Sequence, residues 1–489
     1  MKIRQIKQVF GGVVTGAAFI VCSQTSLAQD GKDWQDNLLV KMDRQGKIYD
    51  DIALRIGALA EIGHQEVQSS ALLQKHLKQK GFSIAAGVAG MPTAFVASYG
   101  SGKPVIGIVA EFDALPGLSQ TTDPVRTVNS HNSAGHACGH HLLGTGAIEA
   151  AVAVKDWLKK SGHKGTIRVY GAPAEEGGGG KVYLAREGHL DDVDALLNWH
   201  PWDQNASNSI STLSNYNGKF RFYGTPSHAA AAPEKGRSAL DGVEAMNHMV
   251  NMMREHLSEK TRVHYVITAG GDAPNVVPKF AEVYYYARHP DPAEVKRTWA
   301  WIKKAAEGAA LGTGTRVESE ILNAVYPVLP NDVMSRLVHR NLTRVGGVSY
   351  TAEETKFANK VMESYALGPV SLKRAEQIQD LETGDRVLSA SSDVGDLSWI
   401  APTNWLSTAT WVPGTSAHSW QAVAAGNMSI GLKGMRVASK VMALSAIELF
   451  QTPTLVAAAK AEMEKRRGPG FTYKALLGDR KPPLDYRKK

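Results

Sequence analysis

A continuous apolar segment at residues 104–110, PVIGIVA, places the strongest constraint on the fold of this chain. A strand that is apolar at every position is buried on both faces, which is typical of the central strands of a parallel sheet covered by helices. Further strand patterns at 82–99, 165–170 and 194–198 are separated by helical patterns such as the one at 142–160. This alternation predicts an α/β architecture with a mainly parallel sheet flanked by helices.

A different order of elements occupies residues 214–328. One strand pattern, NGKFRFYG, precedes a helical pattern at 237–257, and the strands TRVHYVITAG and FAEVYYYARHP follow. A helix at 292–310 and the strand TRVESEILNAV complete a βαββαβ order, which predicts a ferredoxin-like α+β unit inserted into the first domain. Methionines recur at helical spacing in the first of these helices, and we expect them to be packing or interface residues. They are Met246, Met249, Met252 and Met253.

The N-terminal 28 residues predict a secretory signal peptide. Three basic residues, Lys2, Arg4 and Lys7, precede a mostly apolar stretch, and Ser26-Leu27-Ala28 is a small-x-small cleavage site. We therefore expect a periplasmic or secreted protein. The predicted organisation is a signal peptide at 1–28, a first domain in two parts at 29–213 and 329–455, the inserted unit at 214–328, and a basic tail at 456–489 that we expect to be loosely packed after Gly468.

Composition favours an ordinary globular protein. The 489-residue chain is 43% hydrophobic and 21% charged, and removal of the signal peptide lowers its formal charge from +8 to +5 by removing three basic and no acidic residues. This mild charge is spread along the chain without an aromatic-basic motif, so we expect no nucleic-acid partner. No later stretch of roughly 18 apolar residues is present, so we expect no membrane partner.

The segment HACGHH at residues 136–141 contains three histidines and the only cysteine that remains after the signal peptide. Thiolate and imidazole both bind a borderline-soft cation such as zinc, and metal ligation would protect a lone thiol in an oxidising compartment. Side chains two apart diverge on a helix, so a loop or strand end must present both Cys138 and His140, with Gly139 allowing the turn. The segment predicts a metal site at a helix entrance. A histidine-rich turn with a buried cysteine is the alternative.

Other polar side chains follow predicted strands. The acidic Asp113 comes just after the apolar segment, where open α/β sheets place their active sites, and Glu175 and Glu176 follow the strand at 165–170. Adjacent carboxylates on extended backbone point apart, so one can bind a cation while the other takes a proton from water. His200 and His418 also come after strands. Taken alone, these residues are also typical of turns, of exposed acidic loops or of structural histidines.

Together, GHACGHH, PAEE, WHP and AHS resemble the metal-ligand motifs of the dinuclear aminoacylase and carboxypeptidase G family of amidohydrolases, over nearly the whole mature chain. The segment EFDALPGLSQ at 111–120 is similar to the branch that includes aminobenzoyl-glutamate hydrolase subunits and auxin-conjugate amidohydrolases. This resemblance implies two divalent metal ions, zinc or manganese, and a small-molecule amide or dipeptide substrate. It also implies a metallopeptidase-type catalytic domain and a homodimer, or a larger homo-oligomer, formed through the inserted domain.

The resemblance also implies individual roles. Glu175 would be the general base that activates the attacking water and delivers a proton to the leaving nitrogen, and Asp113 would orient a ligand imidazole. In the inserted domain, His228 would reach the substrate carbonyl across the dimer interface, while Asn275 and Arg288 would hold the substrate carboxylate. The implied metal ligands are Cys138, His140, Glu176, His200 and His418.

Two positions depart from this pattern. His141 stands where the branch commonly has aspartate or asparagine, which leaves open what surrounds His140 and whether His141 contacts metal. Glu111 stands where other branches carry a ligand histidine, so its contact with metal is open as well. The remaining histidine of the cluster, His136, is expected to be structural or to support a ligand.

The sequence therefore predicts an exported metal-dependent amidohydrolase that cleaves N-acyl or N-aroyl amino acids. A dipeptidase or carboxypeptidase of the same family and a non-catalytic metal-binding subunit are the alternatives. A cysteine hydrolase that uses Cys138 would leave PAEE, WHP and AHS unexplained.

Overall fold

The computed structural model describes residues 24–487, and within them the side chains of residues 34–384 and 386–487. Most of the predicted signal peptide, residues 1–23, lies outside the described residues. Residues up to Arg44 belong to one unit, and the chain from Gln45 onward forms a second compact unit. The predicted domain boundaries stay predictions.

The strands of the described chain number fifteen. They are β1 (Ser83–Ala86), β2 (Phe95–Ser101), β3 (Val105–Ala110), β4 (Leu115–Pro116), β5 (Ala134–Gly135), β6 (Gly165–Gly171), β7 (Ala195–Leu197), β8 (Trp199–Trp202), β9 (Ala206–Ser211), β10 (Ser214–Tyr223), β11 (Arg262–Ala269), β12 (Phe280–His289), β13 (Arg316–Val325), β14 (Thr383–Val387) and β15 (Trp405–Ala409).

The described α-helices number twelve, and four short 3₁₀ helices accompany them. The α-helices are α1 (Gln24–Leu59), α2 (Val67–Gln79), α3 (His140–Ser161), α4 (Gly180–Arg186), α5 (Ala239–Met253), α6 (Pro292–Thr313), α7 (Asp332–Val345), α8 (Ala352–Met362), α9 (Val394–Ser398), α10 (Trp420–Gly426), α11 (Ser429–Gln451) and α12 (Pro453–Arg467). The 3₁₀ helices are Val88–Gly90, Pro233–Lys235, Arg254–His256 and Leu372–Ala375.

The apolar segment predicted as a buried strand is β3, and all six of its residues are buried. It lies in a five-stranded sheet of order β1-β2-β6-β3-β7, where it pairs parallel with both β6 and β7. Strands β1 and β2 add an antiparallel edge. Because the carboxyl ends of the parallel strands share one edge of the sheet, the loops after β3 and β6 emerge side by side.

A second sheet combines two strands from before the inserted unit, β8 and β9, with two from after it, β14 and β15, in the order β14-β9-β15-β8. Strands β15 and β8 pair parallel, with Ser407 opposite His200. The predicted ferredoxin-like unit is also present as an antiparallel sheet of order β11-β12-β10-β13, to which α5 and α6 contribute buried residues. Of its four methionines, Met246 and Met253 are buried, whereas Met249 and Met252 are exposed.

The helices α3 and α11 are buried along most of their length in the core of the first domain. They carry a polar contact where they meet, because the Ser439 hydroxyl donates to Oε2 of Glu149 over 2.6 Å. The Glu149 side chain is almost wholly buried, and this burial raises its pKa to about 8. The folded protein therefore holds Glu149 in its neutral form at neutral pH.

Replacing Glu149 with glutamine should flatten the pH dependence of folding stability. Between pH 4.5 and about 8 the folded state keeps a proton on Glu149 that the unfolded chain has lost, so the free energy of unfolding falls as pH rises. Glu149→Gln should match the wild type near pH 5 and exceed its stability at pH 8 by on the order of 2–4 kcal/mol. Urea unfolding at the two pH values, at one fixed metal content, measures this. The exposed Glu464→Gln is the control, and equal slopes for all three proteins would contradict the prediction.

The segment after Gly468 packs against the fold, so the expectation of a loosely packed tail is wrong. Its backbone accepts hydrogen bonds from side chains far away in the sequence. The Arg186 guanidinium donates to the carbonyl of Arg480 over 2.7 Å, and the Gln65 amide donates to that of Leu484 over 3.0 Å. Composition alone predicts a solvated basic segment because it contains no information about such long-range partners.

No single helix within residues 24–487 is long and apolar enough to cross a membrane. Only α11 and α12 taken together meet that test of length and composition, and they are bent by 100° where they join.

Candidate metal centre and active site

The cysteine-histidine segment forms a tight turn that leads directly into α3. Gly139 has a φ of 76°, in the left-handed region, and caps the N-terminus of this helix. A Cβ at this position would lie 2.7 Å from Cβ of Pro201, so both the conformation and the space favour glycine. The turn lets the buried side chains of Cys138 and His140 converge on one point although they are two residues apart.

Asp113 fixes the orientation of His140. Its Oδ1 lies 2.9 Å from Nδ1 of His140, and its Oδ2 accepts a hydrogen bond from the Glu176 amide over 3.0 Å. A proton held on Nδ1 leaves Nε2 as the atom that faces the cluster. Burial lowers the pKa of His140, but the charges of Glu111 and Asp113 outweigh it and hold that pKa well above its usual value.

His200 and His418 approach Cys138 from two different elements. His200 lies inside the short strand β8, not at the end of a strand as its sequence position suggested, and its Nε2 is 3.5 Å from Sγ of Cys138. His418 lies in the loop before α10, where its backbone amide donates to the carbonyl of Ala137 over 3.0 Å. Its Nε2 is 3.2 Å from Oε1 of Glu176.

All five predicted ligands therefore meet in one place, as two ligand sets that share Cys138. The first set is Cys138, His140 and His200, and the second is Cys138, Glu176 and His418. Within each set the ligand atoms lie within 4.8 Å of one another. Sulfur, imidazole nitrogen and carboxylate oxygen suit a divalent ion of the zinc type.

The hydrogen bonding of these side chains also fits bound cations. Nε2 of His140 and Oε1 of Glu176 are buried, and although Glu111 and His418 lie within 3.2 Å of them, neither atom makes a hydrogen bond of good geometry among the described residues. Burial raises the pKa of the Cys138 thiol, but the neighbouring charge of His200 and hydrogen bonds from imidazoles reverse this and lower it well below its usual value. The thiolate, which is the form that binds metal, is thus the stable form of Cys138.

Glu175 is absent from the two sets that share the cysteine, but it forms a third possible ligand group with His140 and Glu176, whose atoms also lie within 4.8 Å of one another. Its Oε1 accepts a hydrogen bond from the Ser392 hydroxyl over 3.1 Å. Burial and the nearby charge of Glu176 raise the pKa of Glu175 well above its usual value. A carboxyl group with a raised pKa can accept a proton and later release it, which is the property that a general base near neutral pH needs.

A buried lysine at the back of the site was not found by the sequence reasoning. Nζ of Lys181 lies 2.5 Å from Oδ1 of Asp393 and 2.8 Å from Oε1 of Glu111, and its side chain is fully buried. The other carboxylate oxygen of Glu111 is 3.1 Å from Nε2 of His140. The ammonium therefore compensates two buried carboxylates next to the ligands. The sequence feature that could have indicated this buried charge is the presence of a lysine within the otherwise apolar first turns of helix α4.

The two remaining histidines of the cluster contact backbone carbonyls. His136 Nε2 lies 3.2 Å from the Ile56 carbonyl, and His141 Nε2 lies 3.1 Å from that of Gly426. Burial lowers the pKa of both imidazoles, to about 4 for His141. Among the side chains of residues 34–384 and 386–487, no possible ligand group contains His136, His141 or Glu111.

A cavity of about 1040 Å³ opens next to the ligands. Glu175, Glu176 and His418 line it from the first domain, and Arg288 lines it from β12 of the inserted unit. The structure thus brings Arg288 to the site. It places His228 and Asn275 elsewhere on the inserted unit, in neighbouring exposed segments that share a hydrogen bond between the Ala229 amide and the Asn275 carbonyl. The roles of these three residues stay predictions.

Comparison with known proteins agrees with this arrangement. Residues 107–379 match the model of peptidase family M20/M25/M40. The chain belongs to peptidase family M20/M25/M40. It is 39% identical over 453 residues to a subunit of the p-aminobenzoyl-glutamate hydrolase of Escherichia coli (strain K12), covering 87% of this chain and 93% of that protein. The resemblance found in the sequence is confirmed, and this M20 chain is a metal-dependent amidohydrolase.

More distant relatives extend over most of this M20 chain. The Xaa-Arg dipeptidase of Mus musculus is 26% identical over 460 residues, covering 89% of this chain and 95% of that protein. Among solved structures, a dinuclear metal binding peptidase of the M20 family from Bacillus subtilis superimposes with a TM-score of 0.56 at 17% identity, covering 84% and 99% of the two chains. The predicted fold class, an α/β domain with an inserted α+β unit, is confirmed.

Proposed function

We propose that this M20 chain hydrolyses the amide bond of N-acyl or N-aroyl amino acids with a free carboxylate, with aminobenzoyl-glutamate as the model substrate. The observation that carries the proposal is the pair of ligand sets around Cys138 with Glu175 next to them, in a chain 39% identical to a p-aminobenzoyl-glutamate hydrolase subunit. Two divalent ions, zinc or manganese, are the proposed cofactors. The mixed sulfur, nitrogen and oxygen ligands suit both metals.

The side chains of the site divide the chemistry between them. When bound, the ions would polarise the amide carbonyl and lower the pKa of a water molecule at the site. Glu175 would take the proton from that water as the water attacks the carbonyl, and would pass the proton to the departing nitrogen. The Ser392 hydroxyl would hold the Glu175 carboxylate in place. Arg288, at the cavity wall, would bind the substrate carboxylate through its planar guanidinium.

We also propose that the protein forms a dimer through its inserted unit. Strand β11 is at the edge of its sheet and exposes Val266 and Ile267, and Met252 of α5 is 52% exposed. An exposed apolar edge strand favours pairing with a second chain. His228 and Asn275 are outside the cavity lining of their own chain, so a second copy would have to bring them to a substrate. Light scattering of the purified protein measures the molar mass that decides this.

Export to the periplasm or the medium is proposed on the N-terminal sequence alone. The basic start, the apolar stretch and Ser26-Leu27-Ala28 support it. N-terminal sequencing of the mature protein should find a start near Gln29, and an intact N-terminus on the cytoplasmic protein would contradict export.

Hydrolysis of aminobenzoyl-glutamate, N-acyl amino acids and a small dipeptide by the metal-loaded protein tests the proposed function. Exhaustive chelation should lower kcat/KM by about 100-fold or more, and added zinc or manganese should restore it. Treatment with chelator already saturated with metal is the matched control. Unchanged turnover after chelation would contradict a metal-dependent mechanism, whereas turnover of the dipeptide alone would favour a peptidase.

A further inference from the structure

The last described residues form hydrogen bonds to the backbone of a proposed metal ligand. The Tyr486 hydroxyl donates to the Glu176 carbonyl over 3.0 Å, and the Arg487 guanidinium donates to the same oxygen over 2.6 Å. The Tyr486 ring also packs edge-on against His64, with centroids 5.8 Å apart. The tail from Pro482 to Arg487 therefore forms one wall of the cavity.

Five basic side chains line this cavity, and they differ in whether an acidic partner neutralises them. Three of them form ion pairs with Glu282 or Glu320; these three are Lys219, Arg221 and Arg480. The other two, Arg288 and Arg487, pair with no carboxylate among the side chains of residues 34–384 and 386–487, and their Nε atoms are buried without a hydrogen-bond partner. Both guanidinium groups thus keep donors for an anionic ligand, although one donor of Arg487 binds the Glu176 carbonyl.

Both guanidinium groups line the same cavity as Tyr284. Burial raises the pKa of the Tyr284 hydroxyl, and the positive charges of Arg487 and Arg288 oppose that rise. Both guanidinium groups therefore interact electrostatically with the same hydroxyl. Arg288 also lies over the Tyr286 ring, 5.3 Å from its centroid, and Arg487 lies over the Tyr486 ring at 5.0 Å. Stacking on a ring limits the rotation of a guanidinium and keeps its donors aimed at one region.

We propose that Arg487 binds a second, side-chain carboxylate of the substrate, so that the enzyme prefers conjugates of acidic amino acids. The proposal rests on the proposed function, in which Arg288 binds the main carboxylate. A substrate with a single carboxylate pairs with one guanidinium and leaves Arg487 with its hydrogen bond to the Glu176 carbonyl but no anionic partner, so its charge and its buried Nε stay uncompensated. A dicarboxylate satisfies both through charge-assisted hydrogen bonds.

The test compares N-benzoylglutamate with N-benzoylglutamine, which has nearly the same shape but a neutral side chain. We expect the metal-loaded wild type to prefer the glutamate conjugate by about 30-fold or more in kcat/KM. Arg487→Gln should reduce that preference to about 3-fold or less, by weakening only the glutamate reaction. Arg288→Gln should impair both substrates. Lys481→Gln removes an exposed positive charge from the same tail, outside the cavity lining, and should keep the wild-type preference.

The possible failures are distinguishable. Equal rates for the two substrates in the wild type, or a preference that survives Arg487→Gln, would overturn the inference and leave the proposed function intact. Absence of hydrolysis by the metal-loaded wild type would count against the proposed function itself. Calorimetric binding of the same two compounds then decides the inference separately, because Arg487→Gln must weaken binding of N-benzoylglutamate alone.

Discussion

Replacing Glu175 with glutamine should lower kcat by about 10³-fold or more while the metal content of the protein stays that of the wild type. Glutamine has nearly the same shape and can accept the Ser392 hydrogen bond, but it cannot take a proton from water. Glu175 forms a third possible ligand group with His140 and Glu176, but both sets that share Cys138 are complete without it, so metal binding should persist. Steady-state kinetics on an N-acyl amino acid and elemental analysis of the same samples measure the two properties together.

The adjacent carboxylate offers the matched control. Glu176→Gln removes a charge one residue away, but its side chain belongs to the ligand set with Cys138 and His418. It should therefore lose metal together with activity. If Glu175→Gln turned over every substrate at the wild-type rate, the general-base assignment would be wrong. If it lost metal as Glu176→Gln does, Glu175 would be a ligand instead.

The second large effect concerns the shared thiolate. Cys138→Ser should weaken the binding of both ions by about 100-fold or more, because Sγ is common to the two ligand sets. His200→Ala should impair binding in one set and His418→Ala in the other, so that each retains about one ion per chain. Elemental analysis after dialysis against a weak chelator measures the stoichiometry.

The reactivity of the same thiol provides an independent check. Cys138 is the only cysteine within residues 24–487, and alkylation at this residue can be located by peptide mass mapping. The metal-loaded protein should resist alkylation and the stripped protein should react, since a thiolate bound to metal is a poor nucleophile. Fast alkylation of the fully loaded protein, or two ions retained in Cys138→Ser, would contradict a shared thiolate.

The sequence predicted those parts of the fold and the site that local patterns determine. The buried strand β3 follows from six consecutive apolar or glycine positions, and the α+β unit follows from its order of elements. The ligands could be proposed because each lies in a short motif near a strand or helix end. The contact of Asp113 with His140 joins the acidic turn to the cysteine-histidine turn, as the resemblance implied.

Contacts between distant segments could not be predicted in this way. Asp393 was visible in the segment SSDVGD, but nothing local indicates that it meets Lys181, 212 residues earlier. The Tyr486 hydroxyl reaches the Glu176 carbonyl across 310 residues. Such partners depend on how whole elements pack, and a single sequence without its fold does not specify them.

The wall of the cavity joins segments that are far apart in the chain, since Tyr486 and Arg487 bind the carbonyl of Glu176, more than 300 residues earlier. Contacts of such long sequence separation form only after the intervening segments have folded, so the substrate cavity should be completed late in folding. Proteolytic cleavage just before Tyr486 would leave the metal ligands in place and open this side of the cavity.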